Sequence, residues 1–155
     1  MKSRFRTVVV LALVALVVAV LRYFMRGWME TLGWPLMVGS LLASVTIVLL
    51  VGLVVIFARE GRDSKGWYLR AAGWFVLLTA WCQALVIAGI VITARAGAAT
   101  YYDEMMGGHR TLPPLQHASA HVAGFFVEAA LGLILGLFVY LAARRGRRSG
   151  PAVTA

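Results

Sequence analysis

Four apolar runs divide the chain, approximately Thr7 to Met25, Trp34 to Ala58, Trp67 to Ala94 and Ala118 to Ala143. Crossing the hydrocarbon core of a bilayer takes about 20 residues of helix, and each run is close to or beyond that length. Of the 155 residues, 61% are hydrophobic and 14% charged, too little polar surface for a soluble domain of this size. The expected fold is all-α integral membrane: an up-down bundle of four transmembrane helices in one domain over residues 1–143, with 144–155 as a basic, disordered cytoplasmic tail.

A net charge of +9 would suit a nucleic-acid partner if it formed one face, but the basic residues fall in short clusters between the runs. That distribution carries topology and argues for lipid, not nucleic acid, as the partner. Lys2, Arg4 and Arg6 precede the first run, Arg59, Arg62, Lys65 and Arg70 link the second and third, and Arg144, Arg145, Arg147 and Arg148 follow the fourth. The other side holds Arg22, Arg26, Arg95 and Arg110, so eleven cations oppose four. The positive-inside rule then sets both termini in the cytoplasm of a bacterial-type inner membrane. Tyr23, Trp28 and Trp34 mark the outer interface; Trp67, Tyr68 and Tyr140 mark the inner one. Arg22 and Arg70 lie near span ends, where a long side chain carries its head group to the interface.

The N-terminal MKSRFR followed by an apolar run has the layout of a signal sequence, but no small-x-small site precedes a polar stretch, so an uncleaved signal anchor is expected. Cys82 is the single cysteine and lies within the third run, which excludes an intrachain disulfide and predicts a buried, inert thiol. There is no internal repeat, no soluble domain and no Gly-rich phosphate loop.

Without a hydrophobic driving force inside lipid, helix pairing depends on close packing of small residues and on polar contacts. The fourth run supplies a row at four-residue spacing, Ala120, Gly124, Glu128, Gly132 and Gly136, which should face protein. Trp67, Trp74 and Trp81 repeat every seven residues as a stripe toward the bundle, lipid or a partner subunit. Glu128 is the one acid inside an expected span, ten residues below its outer end and so about 15 Å deep, near the midplane. A carboxylate there costs about 2.5 kcal/mol or more and must be neutral, paired or wet. Counting to the same depth reaches Gln83 on the third run, with Thr79 a turn further in, and Ser44 and Thr46 on the second. A buried polar cluster of Glu128, Gln83 and one or more of the hydroxyls of Thr79, Ser44 and Thr46 is expected.

All three histidines fall in GGHRTLPPLQHASAH, Gly107 to His121. Pro113 and Pro114 stiffen the approach to the last helix, with Leu115 and Gln116 as its lead-in. His117 and His121, four apart, share a helix face, and His121 to Glu128 continues it two turns inward. HASAH lacks the glutamate of HExxH, and three histidines are too few for a membrane di-iron centre. Candidate metal or haem ligands are His109, His117, His121, Met105 and Met106. Met25, Met29 and Met37 and the oxygens of Glu30, Asp103 and Glu104 lie on the same side, a thioether–imidazole set that suits copper. Haem held by His117 or His121 would need a methionine, His109 or another subunit as its second axial ligand.

With no catalytic motif and minimal loops, the leading expectation is an accessory or structural subunit of a larger membrane complex, of respiratory or redox type, in contact with other subunits or a second copy. The alternatives are an outer-face copper or haem protein, and a proton-coupled transporter or channel using Glu128 and His121.

Overall fold

The computed structural model describes residues 2–33, 44–96 and 113–148. These residues form four helices: α1 (Lys2–Leu32), α2 (Val45–Arg62), α3 (Tyr68–Ala96) and α4 (Pro114–Arg148). Three of them contain stretches long and apolar enough to cross a membrane: Arg4–Arg22, Tyr68–Ala96 and Leu115–Arg147. The described part of α2 is 18 residues and carries Arg59, Glu60 and Arg62. Residues 34–43 of the expected second span lie outside the described residues.

Helix ends follow local chemistry more closely than the apolar runs do. At the end of α1, Gly33 adopts φ +63, the left-handed conformation that stops a helix and that residues with a Cβ rarely adopt. Ser44 caps α2, its Oγ accepting from the Thr46 N–H at 3.2 Å. Helix α2 then passes the expected end at Ala58 by four residues, placing Arg59 and Arg62 in its last turn, where cations offset exposed carbonyls. The turn into α3 closes through Gly66 N–H to the Asp63 carbonyl at 2.9 Å and Lys65 N–H to Asp63 Oδ1 at 2.9 Å. Pro114 is the first residue of α4, a position where its missing N–H costs nothing. Leu115 and Gln116 are therefore inside the helix, and α4 continues through arginines 144, 145, 147 and 148, which are good helix formers.

Neighbours in sequence run antiparallel. Leu11 of α1 lies near Gly52 of α2, and Phe75 of α3 packs on Gly132 of α4. Helices α2 and α3 each pack against both flanking helices, α1 and α4. The core forms where they meet: Phe57, Leu78, Thr79 and Cys82 are fully buried, with Leu11, Ala15, Leu49, Leu53, Ile56 and Phe75 around them.

Two glycines let α4 approach this closely. A Cβ at Gly132 would enter the Phe75 ring, and one at Gly136 the Phe57 ring. The rings stack onward through Phe57–Phe75 at 5.9 Å, Phe57–Tyr68 at 5.5 Å and Tyr68–Tyr140 at 5.8 Å. Tyr68 donates to the Leu133 carbonyl at 2.8 Å, so even its hydroxyl is satisfied inside the bundle. The tryptophan stripe turns largely toward α1: Trp74 lies 6.2 Å from Phe5, and Trp81 Nε1 donates to the Ala12 carbonyl at 3.0 Å. Trp67, at the end of the stripe, is exposed.

Leu13, Val17, Leu50, Val54, Leu77, Ile92, Phe126, Ile134 and Phe138 point outward, Phe126 and Phe138 at 66% and 65% exposure. Apolar surface this continuous has no stable place in water and indicates a lipid bilayer as the surroundings.

Candidate functional site

Glu128 lies 14 residues from the start of α4, about 21 Å along its axis, and Gln83 lies near the middle of α3. Their depths match on antiparallel helices, and Gln83 Nε2 donates to Glu128 Oε2 at 2.6 Å. Gln83 is 6% exposed, so neither end of its amide has water as a ready substitute. Its other end, Oε1, lies 3.0 Å from His121 Nδ1. A carbonyl oxygen only accepts, so the proton in that contact belongs to the imidazole. One turn toward the start of α4 the His117 ring sits 5.2 Å from that of His121, tilted by 35°.

The result is an ordered row from the N-terminal part of α4 to mid-helix: His117, His121, Gln83, Glu128. Three members come from one face of α4, and the fourth reaches in from α3 to bridge a two-turn gap. Among the described residues, every buried side-chain nitrogen and oxygen has a hydrogen-bond partner.

The candidate hydroxyls go elsewhere. Thr79 Oγ1 donates to the Phe75 carbonyl of its own helix at 3.0 Å, the usual outlet for a buried helical threonine. Ser44 is occupied as the α2 cap, and Thr46 supplies the N–H it accepts.

Among the described residues no group of three or more His, Cys, Asp and Glu side chains converges as a metal-ligand set. His117 and His121 offer two imidazoles. His109, Met105, Met106, Met37, Asp103 and Glu104 lie outside the described residues, as do the side chains of Met25, Met29 and Glu30.

A second ionic group, absent from the sequence reading, closes the opposite end of the bundle. Arg4 Nε pairs with Glu60 Oε1 at 2.9 Å, and Arg4 Nη2 pairs with Asp63. Glu60 is 3% exposed, and its Oε2 accepts from the Trp67 N–H at 3.2 Å. One guanidinium thus ties the start of α1 to the α2–α3 turn. The signal for it was the spacing Leu53, Ile56, Phe57, Glu60, which puts the acid on the buried face of an α2 that continues past Ala58.

No protein-family model, curated protein or solved structure matches the chain.

Proposed function

We propose that the chain is a four-span protein of a bacterial-type cytoplasmic membrane, both termini cytoplasmic, acting as an accessory or structural subunit of a larger complex of respiratory or redox type. The observation that carries this reading is the uneven filling of the α4 small-residue row. Its inner half is occupied by Phe75 at Gly132 and Phe57 at Gly136, whereas nothing among the described residues lies within 4 Å of a Cβ built on Gly124. Beside that opening is the partly buried Glu128, at a depth where lipid is a poor neighbour for a carboxylate. A helix from another subunit laid along Ala120 and Gly124 would satisfy both demands: close approach at small residues and cover for a polar group.

The test is isolation of the tagged chain from its native membrane in mild detergent. The native chain is expected to retain larger subunits in fixed stoichiometry, and Gly124→Leu to lose them while keeping its own thermal stability. A native chain that migrates alone, or a variant that keeps its partners, overturns the reading.

A second reading, a proton-coupled transporter or channel, draws on the row of titratable groups from His117 to Glu128. Its discriminating measurement is proton flux in proteoliposomes, expected to fall sharply in Glu128→Gln. Flux unchanged by that substitution removes it.

A further inference from the structure

A groove of about 380 Å3 runs between α1 and α2 and is lined by Arg6, Thr7, Val10, Leu11, Val55 and Arg59. The lining is sorted along the helix axes. Arg6, Thr7 and Arg59 form one end, where Arg59 Nη1 donates to Thr7 Oγ1; Val10, Leu11 and Val55 form the other, one turn or about 6 Å further toward the bundle centre. Its described lining residues supply two guanidinium groups and no carboxylate. Val10 and Val55 are exposed, so the apolar end opens onto the flank of the bundle that lipid covers.

The geometry points to an anionic phospholipid as the occupant of this groove, its phosphate between Arg6 and Arg59 and the first part of one acyl chain along Val10, Leu11 and Val55. The charge is complementary: guanidinium is the side chain best matched to phosphate, and its stem remains in contact with apolar surface while its head reaches the interface. The sorting is complementary too, since a phospholipid changes from charged to apolar over the same distance. A free phosphate would use the two arginines and leave the valines without a role. The assignment depends on the bilayer surroundings of the helices, not on which leaflet the groove opens to or on the partner-subunit reading.

The test uses the full-length chain in neutral detergent, with bound lipid counted by native mass spectrometry. Short-chain phosphatidylglycerol is expected to be retained through washing that strips phosphatidylcholine of the same chain length. An arginine close to an anionic lipid surface contributes about fivefold in affinity, so Arg6→Gln/Arg59→Gln should weaken retention about 25-fold. Arg145→Gln/Arg147→Gln removes the same charge from the far end of α4 and should leave retention unchanged. Val55→Trp fills the apolar end with both arginines intact and should also reduce it. Equal retention of the two lipids, equal loss in the Arg145/Arg147 variant, or unaltered retention in Val55→Trp overturns the assignment. Competition by glycerol phosphate at the lipid's own concentration would assign the arginines to soluble phosphate and overturn it as well.

Discussion

Replacing Gln83 by Leu removes both bonds of the bridge while keeping side-chain volume similar. Glu128 loses the donor at 2.6 Å and His121 the acceptor at 3.0 Å. A hydrogen bond contributes about 0.5–1.5 kcal/mol net in water-soluble proteins, and leaving a buried partner unsatisfied costs about 1–3 kcal/mol. Polar contacts in membrane bundles average about 0.6 kcal/mol, because the chain unfolded in the membrane finds other partners. Gln83 is nearly inaccessible and loses two partners at once, so we expect a cost of about 2 kcal/mol. Most of it is the penalty of leaving a mid-helix carboxyl group unserved, and that origin has a distinctive signature. Gln83→Leu/Glu128→Leu, which removes donor and acceptor together, should be more stable than Gln83→Leu alone, recovering about 1 kcal/mol. The assay is reversible unfolding in bicelles by titration with denaturing detergent, followed by helical circular dichroism. Additive losses, with the double variant less stable than either single one, would refute the idea that this amide serves the carboxyl group.

Gly136→Ala should destabilise by about 1–3 kcal/mol, because its Cβ must displace the Phe57 ring, whereas Gly124→Ala should be neutral or slightly stabilising in the isolated chain; both are read by the same unfolding titration. Phe57→Leu in the Gly136→Ala background should recover part of the loss, and no recovery would count against the contact. Arg4→Ala leaves the buried Glu60 without its cation and should cost about 3 kcal/mol, with Arg4→Ala/Glu60→Gln less affected. For the proposed topology, cysteines introduced at Ser64 and Arg147 in a Cys82→Ala background should react with a membrane-impermeant thiol reagent only after the cells are opened. Labelling of intact cells at either position contradicts cytoplasmic termini.

The helices were legible because the sequence states their lengths and apolar content directly. Their ends were less so, because apolar content and helix length are different quantities: α4 continues into a run of arginines that ends the hydrophobic stretch but not the hydrogen-bond ladder. Glu60 is hidden for the same reason, since it follows the apolar run that ends at Ala58 and yet belongs to the core-facing row of a longer α2. Depth counting suffices to place Gln83 level with Glu128, because depth depends only on rise per residue. It does not say which way a hydroxyl turns. Thr79 bonds its own helix and Ser44 caps another, choices made by the local backbone that residue depth does not encode.

The polarity of Gln83 is the property that gives the row a direction. An amide presents one donating and one accepting end, and here the donating end meets the carboxyl group and the accepting end meets the imidazole. Each contact fixes the other: turning the amide over would set its carbonyl oxygen against a carboxyl oxygen of Glu128, and would require His121 Nδ1 to accept where it now donates. The orientation of the His121 ring near the start of α4 and the position of the Glu128 carboxyl group two turns further along are thereby linked through one side chain. An amide does not readily pass a proton along, so Gln83 transmits hydrogen-bond direction and not charge. That favours a role in holding Glu128 in place over one as a link in a continuous proton wire, and it is the physical reason to rank the accessory-subunit reading above the transporter.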